Sequence, residues 1–215
     1  MGGGTPAGAP PAGIDLTLDK QVGSDDGGTG TVTITKPTGT VDGDFLLAVF
    51  SVPYGKTLTT LSGWTLISTA TYGYAQHAIY TYYKRASSEG ANYVWQVSAA
   101  SYAQGVIWRI TGVVGTGSPE DCTRAYNFVD DGSTAVSSTS ITTATNGAAV
   151  VQLGGTNDNY ISLSSTTLTE RYDNGIEVFI MGDVQASAGA SGTKTGTLGT
   201  SRPFGVYLIA LKPAP

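Results

Sequence analysis

Charged side chains are scarce in this sequence of 215 residues, and the basic ones are scattered. Asp, Glu, Lys and Arg make up 13% of the chain, with 11 basic and 16 acidic residues and a net charge of −5. Only Lys84 and Arg85 stand side by side as a basic pair. Because phosphate neutralisation requires clustered Lys and Arg, the composition argues against a nucleic-acid partner.

Cysteine and long apolar runs are equally rare. Cys122 is the one cysteine, so no internal disulfide can form, which fits a chain that folds in a reducing compartment. Apolar runs such as residues 45–50 are far shorter than the roughly 20 residues that span a bilayer. The first residues carry neither the basic start nor the apolar stretch of an export signal. We therefore expect no export signal and no membrane association.

Recognisable catalytic and metal-binding motifs are also missing. The single histidine, His77, lacks the ligand spacing of a zinc site, and no Gly-x-Ser-x-Gly elbow or phosphate-binding loop occurs. Glu170 and Glu177 are the best-placed carboxylate pair for a glycosidase, but they flank the turn signal at residues 173–175, where charges usually face solvent. The sequence predicts no enzymatic activity, no cofactor and no metal, and a hydrolase is the least favoured alternative.

Threonine and glycine are abundant instead, with 31 Thr and 30 Gly. Both are poor helix formers, and no segment shows a convincing helical period. Short alternating runs recur at intervals of about 8 to 15 residues between Gly-rich turns, which is typical of sandwiches and barrels. No repeat of about 20 to 50 residues is visible, which disfavours propellers and solenoids. We predict an all-β fold: a two-sheet antiparallel jelly-roll-like β-sandwich with a flexible N-terminal arm.

The strand prediction places Trp64, Trp95 and Trp108 among apolar neighbours, where large rings are usually part of a core. The predicted strands cover residues 14–18, 31–35, 45–52, 64–67, 78–84, 92–97, 106–111, 140–143, 148–153, 167–172, 176–181, 193–197 and 206–211.

The predicted organisation is an arm with an anchoring strand over residues 1–18, followed by a single β-sandwich domain over residues 19–215. The first 13 residues, MGGGTPAGAPPAG, offer little to bury, and their Gly and Pro suit neither helix nor ladder. Ile14, Leu16 and Leu18 then alternate with polar residues. We expect these three side chains to bind a partner by adding a strand to the edge of its sheet.

Loop tyrosines are the candidate ligand-binding residues. A tyrosine ring presents apolar area with a polar tip and loses little entropy on binding, which suits contacts to sugars or proteins. Covering the ends of strands is the alternative role for these rings. The candidate glycan-binding residues are Tyr54, Tyr72, Tyr74, Asn157, Asp158, Asn159 and Tyr160.

The segments GDFLLAVFSVP, SGWTLI, AIYTYYKRASSEGANYVWQVS and GVIWRITGV follow one another, and SITTATNGAAVVQLGG, TERYDNG and GVYLIALKP come later. This order, over about residues 31–213, resembles β-sandwich modules common in bacteriophage virion proteins and bacterial surface proteins. The resemblance implies a head decoration, head-fibre or tail-associated protein, and it implies no catalytic residue.

From the resemblance and the composition we expect a non-enzymatic virion structural protein, assembled in the host cytoplasm and located on the virion. Its expected partners are the major capsid protein or another virion protein, and copies of itself, with a trimer favoured. The alternative is a carbohydrate-binding, receptor-binding module that recognises a host surface glycan. The two functions are compatible with each other.

Overall fold

The computed structural model describes residues 13–25, 28–53, 55–72, 77–99, 102–157, 162–165, 167–175 and 177–215. The helices and strands assigned in these ranges are all β-strands, and their pairs are antiparallel. No helix in these ranges is long and apolar enough to cross a membrane. The predicted all-β antiparallel sandwich architecture is confirmed, but it occurs twice, once in each half of the chain, where the sequence predicts one two-sheet sandwich.

The first half of the chain forms one sandwich. Its strands are β1 (Lys20–Ser24), β2 (Thr31–Thr35), β3 (Phe45–Pro53), β4 (Leu58–Thr59), β5 (Thr65–Tyr72), β6 (His77–Arg85), β7 (Asn92–Val97) and β8 (Gln104–Ile110). One sheet has the order β1-β8-β3-β6-β5, and a smaller sheet has the order β2-β7-β4. The two sheets enclose a core of aromatic and aliphatic side chains that includes Phe50, Trp64 and Trp95. Together with Trp108, which is buried on the opposite face, all three tryptophans lie in cores as predicted.

The second half forms another sandwich. Its strands are β9 (Ala125–Ser138), β10 (Thr142–Thr143), β11 (Ala148–Thr156), β12 (Leu163–Ser165), β13 (Glu170–Asp173), β14 (Val178–Gln185), β15 (Gly189–Ala190) and β16 (Lys194–Leu211). The main sheet has the order β12-β16-β11-β14-β13, and β9 also pairs with β16.

A sharp bend in the long strands β9 and β16 creates the outer layer of this second sandwich. Residues 125–129 and 135–138 of β9 pair with separate parts of β16, with register shifts between them. Gly132 lies at the break with a φ of 82°. The side-chain amide of Asn127 donates a hydrogen bond of 2.9 Å to the carbonyl of Ser137, so the two parts of β9 lie close together. Such irregularities let a strand pair turn a corner and cover its own sheet.

The two halves repeat one arrangement of strands. In the second half, the sheet equivalent to β1-β8-β3-β6-β5 contains, in the same order, the first part of β9, the second part of β16, β11, β14 and β13. The order β2-β7-β4 corresponds to the second part of β9, the first part of β16, and β12. The short pair β10–β15 has no equivalent among the described strands of the first half. The chain is therefore a tandem structural repeat with a period far longer than those considered in the sequence.

Irregular features recur at equivalent places in the two halves. A bulge at Ile67 interrupts the pairing of β5 with β6, and a bulge at Arg171 interrupts the pairing of β13 with β14. Gly43 and Gly147 precede β3 and β11 with φ angles of 94° and 77°. The amide of Gly43 donates to the carbonyl of Ala86, directly after β6, and the amide of Gly147 donates to the carbonyl of Gln185 at the end of β14. Equivalent bulges and turns extend the structural correspondence of the two halves to their irregular features.

The two main sheets pack face to face, as two subunits of a symmetric dimer would. β3 packs on its equivalent β11, β6 packs on β11 and β16, and β14 packs reciprocally on β3 and β8. This reciprocity is the pattern of an isologous interface. The central core receives Leu47 and Trp108 from one sheet and Val151 and Ile209 from the other.

The N-terminal segment belongs to this central core. Ile14 and Leu16 are buried in it, with Leu16 only 2% exposed. The amide of Asp15 donates to the carbonyl of Thr111 in an isolated bridge, and no strand forms over residues 14–18. The prediction that Ile14 and Leu16 anchor a partner is therefore wrong, because their apolar area is already covered. Leu18 is half-buried, and residues 1–12 lie outside the described residues.

Candidate functional site

Of the tyrosines predicted to bind glycans, Tyr72 is the one within the described residues, and its side chain does not face solvent. Tyr72 is 1% exposed and part of the central core, so its assignment to an exposed loop is wrong. The reason is that β5 extends to Tyr72, further than the sequence predicts. Asn157 is described and half-buried, just after β11. The other predicted glycan-binding residues lie outside the described residues: Tyr54, Tyr74, Asp158, Asn159 and Tyr160.

Tyr72 instead connects the two halves. Its hydroxyl lies 3.2 Å from Ser51 Oγ, and Ser51 Oγ donates to the carbonyl of Thr156 at 3.2 Å. Burial raises the pKa of Tyr72 far above its ordinary value, and the nearby Glu177 carboxylate adds to the rise. Glu177 itself is buried, so the expectation that it faces solvent is wrong, whereas Glu170 is exposed as predicted.

A concave groove of about 840 Å³ lies where β5 of the first half meets the start of β9 in the second. We call it the aromatic groove. Its volume lies within the usual range of ligand sites. It is lined by Ser68, Thr69, Ala70, Ser118, Glu120, Cys122, Thr123, Arg124, Tyr126, Phe128 and Tyr207.

Alternation along the start of β9 places three large side chains on one side of the groove. Arg124, Tyr126 and Phe128 are two residues apart, and successive side chains of a strand point to opposite faces. The rings of Tyr126 and Phe128 are stacked at 5.3 Å between centroids, and Tyr207 packs edge-on against Phe128 at 5.5 Å. Tyr207 is buried, which raises its pKa, whereas Tyr126 is 64% exposed. The groove therefore has a buried aromatic floor and one accessible ring.

Arg124 holds the rim of the groove in place. Its guanidinium makes two hydrogen bonds to Glu120, from Nε to Oε1 at 2.9 Å and from Nη2 to Oε2 at 2.7 Å. Its third nitrogen, Nη1, donates to the carbonyl of Ile67 at the β5 bulge. Such a planar fork is geometrically specific, so Arg124 fixes the start of β9 relative to β5. The pair leaves the groove without net charge from these two residues.

The equivalent place, where β13 meets the residues that precede β1, is filled. Isolated bridges join Asp15 to Thr111 and Glu120 to Leu211, ahead of β1 and β9. Through these bridges, Ser118 and Glu120 correspond to Ile14 and Leu16, which are buried in the central core. Ser68 corresponds to Tyr172, which also packs against that core. Ile14, Leu16 and Tyr172 thus fill one side of the molecule. On the other side, the smaller or polar side chains of Ser118, Glu120 and Ser68 leave the groove open.

A second groove of about 750 Å³ adjoins the aromatic groove and is lined by residues 122–126 and 139–142. We call it the hydroxyl groove. Four residues line both grooves, namely Cys122, Thr123, Arg124 and Tyr126, and the far side of the hydroxyl groove is formed by residues 139–142. Thr139 and Thr142 are exposed there, and Ser140 Oγ accepts the amide of Gly192.

Sequence reasoning missed both grooves, although one signal was available. The pattern of Arg124, Tyr126 and Phe128 has the period of two that marks a strand face. The acidic turn signal at residues 130–132 directly after it concealed β9. The opposite wall, from residues 68–70, is distant in sequence and is joined only by the packing of the two halves.

Within the part of the chain that the structure describes, no three His, Cys, Asp or Glu side chains gather in a way that could hold a metal ion. Comparison of the chain with protein-family models, with curated proteins and with solved structures finds no match.

Proposed function

We propose that the chain is a non-enzymatic structural protein of a bacteriophage virion that decorates or stabilises the capsid surface. The resemblance of its sequence segments to virion β-sandwich modules supports this proposal. The observation that carries it structurally is the central core, which joins two sandwiches into one body without a disulfide. Large buried apolar area is a source of stability that works equally well before and after release from a reducing cytoplasm.

In this proposal the partner is the major capsid protein or another virion protein, and copies of the chain associate, with a trimer favoured. Because Ile14 and Leu16 are buried in the central core, the protein attaches to the virion through residues other than these two. The free edges of β1 and β9 offer backbone groups for such contacts, since among the described strands each pairs with one neighbour only.

Purified particles test the proposal. Mass spectrometry and electron microscopy should find the protein at a fixed copy number on the particle, and a high copy number would indicate the capsid surface. Deletion of residues 1–12 serves as a matched variant that leaves the described core intact. Particles that lack the protein altogether would contradict the proposal.

The second candidate function is carbohydrate binding, as the receptor-binding part of such a particle. The exposed ring of Tyr126 beside Phe128 in the aromatic groove favours it. An accessible aromatic ring can cover the C–H face of a sugar, while hydroxyl and carboxylate groups around it accept and donate hydrogen bonds.

A glycan array tests this second function. The intact protein should bind a subset of glycans, and Tyr126→Ala should lose that binding. Val22→Ala is the matched control, because Val22 has the equivalent position in the first half and is also exposed. Equal binding by both variants and the wild type would place the site elsewhere.

A further inference from the structure

The aromatic groove and the hydroxyl groove are two parts of one path across the molecule. The two grooves adjoin each other, because Cys122, Thr123, Arg124 and Tyr126 line both of them. A ligand that covers the exposed ring of Tyr126 therefore has room to continue on either side. A single sugar would occupy only one of the two grooves.

We infer that the two grooves are successive subsites for one oligosaccharide chain, with Tyr126 at the crossing point. This inference rests on the proposed carbohydrate-binding function and adds that the ligand is an extended chain. It also assigns different tasks to the two subsites, one dominated by ring stacking and the other by hydrogen bonds.

The aromatic groove suits a sugar ring seated face-on. The stacked rings of Tyr126 and Phe128 provide apolar area, and the exposed hydroxyls of Thr69 and Ser118 lie at the margin. The Glu120 carboxylate accepts hydrogen bonds from Arg124 but retains acceptor capacity on each oxygen. A neutral ligand rich in hydroxyls fits this set, because the ion pair leaves no net charge to attract an ionic one.

The hydroxyl groove suits the edge of a neighbouring sugar. Thr139 and Thr142 present exposed hydroxyls on its far side, and its one aromatic ring is that of Tyr126. Hydroxyls act both as donors and as acceptors, so they match the alternating groups on a sugar edge. Individual hydrogen bonds of this kind contribute modestly, and a chain gains affinity by using both subsites together.

The filled counterpart, where β13 meets the residues that precede β1, supports a specialised site. Ile14 and Leu16 close the place that Ser118 and Glu120 leave open. Val22, at the position equivalent to Tyr126, carries no ring. Since both halves share one strand arrangement, the open groove is a feature of these side chains and not a requirement of the fold.

The test measures affinity against ligand length by calorimetry on the full chain. The probes are the monosaccharide, trisaccharide and hexasaccharide of β1,4-linked N-acetylglucosamine, together with the same series from the best hit of the glycan array. Affinity should rise by about tenfold or more from monosaccharide to trisaccharide. Thr139→Arg should remove that gain, whereas Tyr126→Ala should weaken the binding of monosaccharide and trisaccharide alike by about tenfold.

Matched variants in the first half identify the site. Thr35 and Val22 are equivalent by register to Thr139 and Tyr126 and are exposed, so Thr35→Arg and Val22→Ala should bind as the wild type does.

Three results would overturn the inference in distinguishable ways. Binding without dependence on chain length would remove the second subsite and leave the carbohydrate function intact. No binding of any sugar by the wild type would remove the carbohydrate function together with the inference. Protection of the β9 backbone amides by a bound protein segment, unaffected by Tyr126→Ala, would assign this edge to strand addition instead.

Discussion

Val22 pairs with Val106 in the first half of the chain, and Tyr126 pairs with Tyr207 at the equivalent position of the second half. The backbone relationship is the same in both places, but two tyrosines stand where the first half has two valines. The fold therefore keeps its geometry on both sides, while the side chains differ and only the second half carries aromatic rings at this position. This difference is the basis for the assignment of the grooves.

Leu16 is expected to stabilise the whole fold. Because it is buried between the two halves, Leu16→Ala should lower the free energy of unfolding by about 2 to 5 kcal/mol. Urea unfolding followed by tryptophan fluorescence measures this. Leu18→Ala is the control, and with its half-buried side chain it should cost about 1 kcal/mol. Equal effects of the two variants would contradict the placement of Leu16 in the core.

Gly105 is expected to tolerate no side chain. A Cβ at this position would lie 2.1 Å from the ring of Phe50, which is fully buried. Gly105→Ala should therefore destabilise the protein by about 1 to 3 kcal/mol through overpacking. Gly90→Ala is the control, because a Cβ there meets nothing within 4 Å and the change should be nearly neutral. Thermal unfolding of both variants distinguishes them, and a neutral Gly105→Ala would contradict the packing of β8 on β3.

Cys122 should react slowly with alkylating reagents. Burial raises the pKa of its thiol, and the carboxylates of Asp121 and Glu120 raise it further, so less of the reactive thiolate is present near neutral pH. The rate of iodoacetamide modification should rise at a higher pH than for a free cysteine peptide. Glu120→Gln removes one of the negative charges, and it should move the profile of Cys122 toward lower pH. An unchanged profile in Glu120→Gln would argue against their proximity.

Glu89 should stabilise the fold above the acidic range. Burial by itself would raise the pKa of this carboxyl, but hydrogen bonds from Lys84 and from the amide of Ser87 outweigh it and hold the pKa below its usual value. A depressed folded pKa means stabilisation that is present above the unfolded pKa and lost as the pH falls through the folded one. Glu89→Gln should cost about 1 to 3 kcal/mol at neutral pH and progressively less in acid.

Glu170 serves as a control because its pKa is shifted in the opposite direction to that of Glu89. Glu170 is exposed as a residue, but partial desolvation of its carboxyl and the neighbouring Asp173 raise its pKa, so its charged form is slightly disfavoured in the folded protein. Glu170→Gln should therefore leave stability unchanged or slightly increased at neutral pH, and the wild type should gain relative to it as the pH falls. Urea unfolding across the acidic range compares both variants, and parallel slopes would contradict the assigned contacts.

Local patterns predicted much of the sandwich correctly. The alternation of Tyr93, Trp95 and Val97 predicted a strand over residues 92–97, and β7 has those bounds with these side chains buried. The apolar run after Gly43 predicted β3, which is covered on both faces. Such strands are visible because burial imposes a period on the chain or removes polar residues from it altogether.

The repeat and the site depend on relationships that local patterns do not carry. Equivalent positions share geometry more than identity: Leu16 corresponds to Glu120, and Val22 to Tyr126. Residues 130–132 have a sequence typical of a turn, but in the structure they lie within the continuous strand β9, which turns a corner at Gly132. Ile14 and Leu16 show the alternation of an edge strand, but packing between the halves recruits them to the core.

The exposed link at residues 115–117 joins the two sandwiches in a single polypeptide. If two identical subunits met across the same faces, symmetry would give them two identical grooves, and their association would depend on protein concentration. Covalent fusion removes both constraints, since the partner is always present and each copy is free to diverge. Asymmetry of the kind seen between Leu16 and Glu120 is what that freedom allows.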